Sequence, residues 1–270
     1  MFIRVAEGRA RVVREIRAAA PLLTELAVPT TARGPWLAAA LHAAPAPAAR
    51  VRHRAVVVEQ HRQGRPAGAA LLSSRRVLRR GRWTTDLRLL GDGGAPPPPG
   101  GAPRRLPVRD AEVAALLADG IADLLAATRG PWDLALTGLP LGDPVLRALA
   151  ARLGVGAAFR TTRTRALVDQ LDDVGAVTRS VDALDLERWL PDFLDHRPAG
   201  ARAADLRALA RVHAAAGVLE HAVVLAEDRP VAGLLTLLEG GVRRPWWGFG
   251  VPEPATGPAA PCVSLTASSR

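Results

Sequence analysis

The feature that most constrains this chain is a strand pattern that occurs twice. Arg54-Ala-Val-Val-Val58 matches His221-Ala-Val-Val-Leu225. Arg65-Pro-Ala-Gly-Ala-Ala-Leu-Leu72 matches Arg229-Pro-Val-Ala-Gly-Leu-Leu-Thr236, with a shift of one residue. Val77-Leu-Arg-Arg-Gly-Arg-Trp83 matches Val242-Arg-Arg-Pro-Trp246. Each copy follows a Leu- and Ala-faced helix that ends near a histidine, His42 in one and His213 in the other. Matched segments in one order predict a duplicated strand–turn–strand–strand unit, with Arg-Pro fixing φ at each hairpin corner.

Around the repeat, hydrophobic period sets the elements. Phe2 to Val5 reads as a strand and Arg9 to Leu26 as a helix, with a kink or break expected at Pro21. A second helix runs from Trp36 to Ala43 behind Pro35, and Pro45 and Pro47 stop it. Strands follow at 55–59, 67–78 and 83–90, with a turn at Gln63-Gly64. The stretch 91–107 is rich in Gly and Pro and reads as a long, mobile loop. Asp110 caps a helix faced by Val113, Leu116, Leu117, Ile121, Leu124 and Leu125. A short strand at 133–137 leads to a helix with Asp143 as cap and Pro144 in its first turn, then to a strand at 157–167. Helices at 186–195 and 203–216 precede strands at 222–226, 231–238 and 242–249. The expected domains are 1–175, a partial second copy at 176–250, and a disordered tail at 251–270.

Composition narrows the function classes. The chain has 270 residues, and 49% of them are hydrophobic, enough for a packed core. No uncharged apolar run is long enough to span a membrane. The first twenty residues lack the apolar stretch of a signal peptide, so a cytoplasmic protein is expected. The single cysteine, Cys262, excludes a disulfide framework and a cysteine-rich zinc site. The net charge of +10 is carried entirely by arginine. It favours anionic partners, against the simpler reading of a solvated basic surface. Arg75, Arg76, Arg79, Arg80 and Arg82 form the densest basic run. No His-Glu-x-x-His, Gly-x-Ser-x-Gly or Walker loop is present, and His53 and His61 are too far apart along one strand to share a metal.

The order strand, helix, helix, three strands, helix, strand, helix, strand resembles the GNAT acyltransferases, and the duplication resembles their tandem Fem-type and CelD-like branch. The resemblance rests on the Pro35-Trp36-Leu37 helix start, the 55–72 hairpin, the strand end at 87–91, and 221–247 of the second copy. It implies an α/β fold with a mixed sheet flanked by helices, duplicated, the second copy incomplete. It implies transfer of an acyl or aminoacyl group, from acyl-CoA such as acetyl-CoA and without a metal, to a small-molecule or peptidyl amine. Nucleic acid is not the expected partner, though tRNA would suit an aminoacyl donor. In such proteins backbone amides after the fourth strand hold the pyrophosphate, a task helix N-termini perform in general. Here the corresponding stretch offers Gly93, Gly94, Arg104 and Arg105, without the Gln/Arg-x-x-Gly-x-Gly/Ala spacing. Glu59 and Asp86 are the candidate proton acceptors for the attacking amine. The alternative is a catalytically degenerate module of the same ancestry that binds a partner or an anionic ligand.

Overall fold

The computed structural model describes residues 1–42, 51–62, 64–250 and 256–269. The helix stop expected at Pro45 and Pro47 and the residue Gln63 lie outside them. The chain divides into two compact units, one of residues 1–92, 104–162 and 261–270, the other of 93–103 and 163–260.

The first unit follows the expected element order. Strand β1 (Phe2–Glu7) leads to helices α1 (Arg9–Glu25) and α2 (Gly34–His42). Strands β2 (Arg52–Glu59), β3 (Pro66–Arg79) and β4 (Arg82–Leu89) form an antiparallel meander. Helix α3 (Ala111–Ala126), strand β5 (Trp132–Pro140), helix α4 (Pro144–Leu153) and strand β6 (Ala157–Leu167) come next. Helix α1 runs through Pro21 without the expected break, because Leu22 and Leu23 beyond it are buried and fix its last turn.

The β2 run Ala-Val-Val-Val is buried on both faces, which is why it is continuous and not alternating. Ala55 and Val57 pack with α1 and α2, and Val56 and Val58 pack with α3 and α4. The sheet is thus the middle layer of three. Val113, Leu117, Ile121, Leu124 and Leu125 give α3 its buried stripe, and the Asp110 carboxylate caps it by accepting from Val113 N–H at 2.8 Å. Gly120 sits where α3 comes closest to the sheet. A Cβ there would lie 2.6 Å from Val56 Cγ1 and 2.7 Å from Ile3 Cγ2.

The tail expected to be disordered is a correction. Residues 251–255 lie outside the described range, but Thr256–Ser268 is strand β11. It lies between β5 and β6 in a seven-stranded mixed sheet of order β1-β2-β3-β4-β5-β11-β6. Val263, Leu265 and Ala267 alternate into the core, opposite the β5 residues Leu139, Leu136 and Leu134. Cys262 is buried, its sulfur 3.1 Å from Thr162 Oγ1.

The second unit repeats the opening of the first. Strand β7 (Val177–Ser180), helices α5 (Ala183–Asp195) and α6 (Ala203–Ala215), and strands β8 (Leu219–Ala226), β9 (Arg229–Glu239) and β10 (Val242–Phe249) form an antiparallel sheet of order β10-β9-β8-β7. Both hairpins carry a bulge at one point: Val58↔Gly68 gives way to Glu59↔Pro66, and Val224↔Ala232 to Leu225↔Pro230. The duplication is therefore structural, and it pairs Val58 with Val224, one residue off the sequence match. The third match fails. Val77 precedes its hairpin turn at Arg80-Gly81, whereas Val242 follows the turn at Gly240-Gly241. Phe193 fills the core of this unit, edge-on to Trp247 at 6.4 Å and to Phe249 at 5.3 Å.

The Gly/Pro-rich stretch expected to be a mobile loop is packed within the second unit. Trp246 Nε1–H donates to Pro96 O at 2.7 Å and Gly100 N–H to Thr164 Oγ1 at 3.4 Å. Gly100 has φ +97°, and a Cβ there would lie 2.4 Å from Ala166 Cα, so no other residue fits.

Three buried histidines set an acid limit on stability. Burial pushes His53, His213 and His221 below the ordinary 6.5. Arg9 and His42 add to the shift at His53. The Leu209 carbonyl opposes it at His213, and Asp185, Glu220 and Asp182 oppose it at His221. The unfolded chain therefore binds protons first. This contribution is complete above pH 6.5 and is lost as pH falls through 6.5 toward the lower folded values. Thermal melts followed by tryptophan fluorescence should show a lower Tm at pH 5.5 than at pH 7.5. Equal Tm values at the two would contradict this account.

Candidate active site

The site grows from a divergence of two strands. Strands β4 and β5 pair in parallel from Thr85↔Trp132 to Arg88↔Ala135. Strand β4 then ends at Leu89 while β5 continues to Pro140. The carboxyl end of a parallel pair that separates is where sheets of this kind present ligand sites.

The chain's own backbone enters this gap. Arg104 N–H donates to Gly138 O at 3.1 Å. Farther along, Ala69 N–H donates to Pro107 O and Arg109 N–H to Ala67 O, both at 3.0 Å. The segment 104–109 thus takes the place beside β3 that a longer β4 would have filled. The Arg104 side chain fastens it. Nη1 donates to Leu90 O at 2.9 Å, Nη2 donates to Gly91 O at 3.0 Å, and Nε lies 3.0 Å from Asp92 Oδ1. Asp92 also accepts from Thr137 Oγ1 at 2.9 Å, tying the β4 end to β5. Burial pushes the Arg104 guanidinium below its usual range, and Asp92 partly offsets this.

Beneath the segment lies a small cleft of about 40 Å³. Ala19, Leu23, Leu37, Leu71, Leu89 and Leu90 form its apolar walls, and Thr31, Arg104 and Arg105 supply its polar groups. The cleft is concave and mostly apolar, with few polar groups. Arg105 is exposed, and its Nη1 donates to Leu26 O at 3.4 Å.

The six residues singled out from the sequence do not converge. Glu59 is buried and paired with Arg4, whose Nη2 lies 2.6 Å from Glu59 Oε1. The same guanidinium holds Glu15 through Nη1 at 2.6 Å and Nη2 at 2.8 Å. Asp86 is buried between Arg75 at 3.2 Å and Arg88 at 3.0 Å. Neither carboxylate lines the cleft. Gly93 and Gly94 belong to the second unit, while Arg104 and Arg105 belong to the first. Only the two arginines reach the cleft, and Arg104 is spent on carbonyls. The apolar lining escaped sequence reading. Its one local signal is Leu89-Leu90, two buried leucines in succession where strand pairing stops.

The phosphates of acyl-CoA were expected at a helix N-terminus after β4. The residues there do not suit them. At α3 the Asp110 carboxylate takes Val113 N–H, and Glu112 adds charge to the first turn. At α4 the Asp143 carboxylate takes Val145 N–H and Leu146 N–H at 3.0 and 3.1 Å. An incoming phosphate would meet an acid at either helix. Among the described residues no group of three or more His, Cys, Asp or Glu is placed to hold a metal ion, and no helix is long and apolar enough to cross a membrane.

No family model and no curated protein sequence matches the chain. Solved structures similar to it include the following three. A tandem GNAT protein from the clavulanic acid biosynthesis pathway is 14% identical over 99% of this chain and 98% of its own, with a TM-score of 0.37. A conserved protein of Enterococcus faecalis, described as a probable N-acyltransferase, is 10% identical over 98% of this chain and 72% of its own, with a TM-score of 0.34. A GCN5-related N-acetyltransferase-like protein of Streptococcus suis is 13% identical over 88% of this chain and 77% of its own, with a TM-score of 0.23.

Proposed function

We propose that the chain is an N-acyltransferase and that the cleft beneath the 104–109 segment holds the acyl group being transferred. The carrying observation is the apolar cleft that α1, α2 and β3 form with the carboxyl end of β4, where β4 stops pairing with β5. The donor is an acyl thioester, acyl-CoA being the expected one, and the acceptor is a small-molecule or peptidyl amine. Attack by the free amine forms a C–N bond as the C–S bond breaks, and the proton lost by nitrogen ends on the thiol. Glu59 and Asp86 are tied to guanidinium groups, so solvent water is assigned the first proton transfer. Recognition rests on the acyl end and on Arg105, because the α3 and α4 termini are closed to phosphate.

A second reading, a non-catalytic ligand-binding module, is favoured by the hydrogen bond from Arg104 N–H to Gly138 O, which closes the gap where a donor's arm would pass. Calorimetric titration with acetyl-CoA, a medium-chain acyl-CoA and free CoA separates the two. The transferase reading expects both acyl-CoAs to bind at least about tenfold tighter than free CoA, with thiol release when amines are added. It also expects Leu71→Trp, which fills the cleft, to abolish that preference. Acyl-dependent binding without thiol release for any amine selects the second reading. Equal affinity for free and acylated CoA removes the cleft from both.

A further inference from the structure

A second concavity in the first unit lies beside α4 and shares no lining residue with the cleft just described. Its volume is about 290 Å³, and it is lined by Asp143, Leu146, Arg147, Ala150, Phe159 and Val263 among others. Leu146 and Val263 are buried, and Phe159 leaves 54% of its surface exposed beside them. The groove therefore has an apolar wall that nothing in the first unit covers.

Two opposite charges share this groove without meeting. Asp143 is only 6% exposed, and its two hydrogen bonds, from Val145 N–H and Leu146 N–H, both end on Oδ1. No described residue donates to Oδ2. Arg147 stands four residues on, on the same side of the helix, and forms no ion pair with a described residue. An acid four residues before an arginine stabilises a helix slightly when the two pair, but here they do not meet, and Arg147 is left open to a ligand. Burial raises the Asp143 carboxyl above the ordinary carboxylate range, against the pull of Leu146 N–H, Val145 N–H and Arg105. Arg105 offsets this buried charge without forming an ion pair with it, and a cationic ligand group on Oδ2 would relieve it further.

We infer that this groove binds an α-amino acid with an apolar side chain, its ammonium on Asp143 Oδ2, its carboxylate on Arg147 and its side chain against Phe159 and Val263. A simple anion would meet the Asp143 carboxylate, and a simple amine would meet the Arg147 guanidinium. A neutral apolar ligand would bury both charges uncompensated. Only a zwitterion answers both charges, and the apolar wall selects a side chain such as that of leucine or phenylalanine. The site does not depend on the transferase reading.

The test is a titration of the whole chain with leucine and phenylalanine, followed by calorimetry. N-acetyl-leucine, which lacks the ammonium, and isoamylamine, which lacks the carboxylate, are the comparison ligands. The free amino acids should saturate the protein at concentrations on the order of 1 mM, and each comparison ligand should bind at least about tenfold more weakly. Asp143→Asn keeps a side chain that caps the helix equally well. It should fold with an unchanged Tm and lose about tenfold or more in leucine affinity, as should Arg147→Ala. The inference is overturned if leucine fails to bind the folded chain. It is equally overturned if isoamylamine or N-acetyl-leucine binds as well as leucine, or if a folded Asp143→Asn keeps full affinity.

Discussion

Arg4→Met lowers the stability of the first unit by about 2–4 kcal/mol. Arg4 reaches from β1 to Glu15 on α1 and to Glu59 on β2, and both carboxylates are more than nine-tenths buried. Hydrogen bonds to Glu15 raise the guanidinium above its usual range, burial opposes this, and hydrogen bonds to Glu59 add to it. Without Arg4, two acids face each other in a site that water reaches poorly. Leaving buried charges unpaired costs about 3–5 kcal/mol; the smaller loss of about 2–4 kcal/mol applies because the Arg4 side chain is 44% exposed and water can enter from that side. Urea denaturation measures the loss. Adding Glu15→Gln and Glu59→Gln to Arg4→Met should restore most of it. A loss in Arg4→Met below about 0.5 kcal/mol would mean the pair behaves as an ordinary surface bridge.

Leu265→Asp unfolds the first unit, while Thr266→Asp next to it costs no more than about 1 kcal/mol. Leu265 is fully buried on β11 opposite Leu136, in the core shared with α3 and α4, whereas Thr266 points outward. A carboxylate at 265 would have to be desolvated without a partner, at a cost exceeding about 4 kcal/mol. Hydrogen exchange resolved by segment is the readout. Amides of 132–140 should lose protection in Leu265→Asp and keep it in Thr266→Asp. If both variants behave alike, β11 is not part of the folded sheet, and the disordered tail expected from composition would be the better description.

Much of the fold could be read locally. The β2 run, the α3 stripe, and the Asp110 and Asp143 caps each need only a few neighbouring residues, and each occurs where its pattern places it. The repeat was legible because the Arg-Pro corner recurs, but its register was not. Similar residues were matched across the turns at Arg80-Gly81 and Gly240-Gly241, and a turn displaced by a few residues moves every later partner. The candidate site was the least legible part. Sequence pointed to charged groups at strand ends and in the loop, where Glu59, Asp86 and Arg104 proved to be bound to partners distant along the chain or to backbone carbonyls. Nothing local distinguishes an arginine turned toward solvent from one folded back onto Leu90 O and Gly91 O.

By itself the sequence determined the periods, caps and turns, hence most of the element order, because these depend on contacts between near neighbours. Only the tertiary structure decided that β11 closes the first sheet between β5 and β6, that segment 104–109 fills the gap beyond β4, and that Asp143 and Arg147 share a groove. The physical reason is the same in each case. Three alternating small or apolar residues, one buried arginine and one capping aspartate acquire their roles from partners far along the chain. Those partners meet only after the sheet has formed and the backbone groups it leaves unpaired must be satisfied.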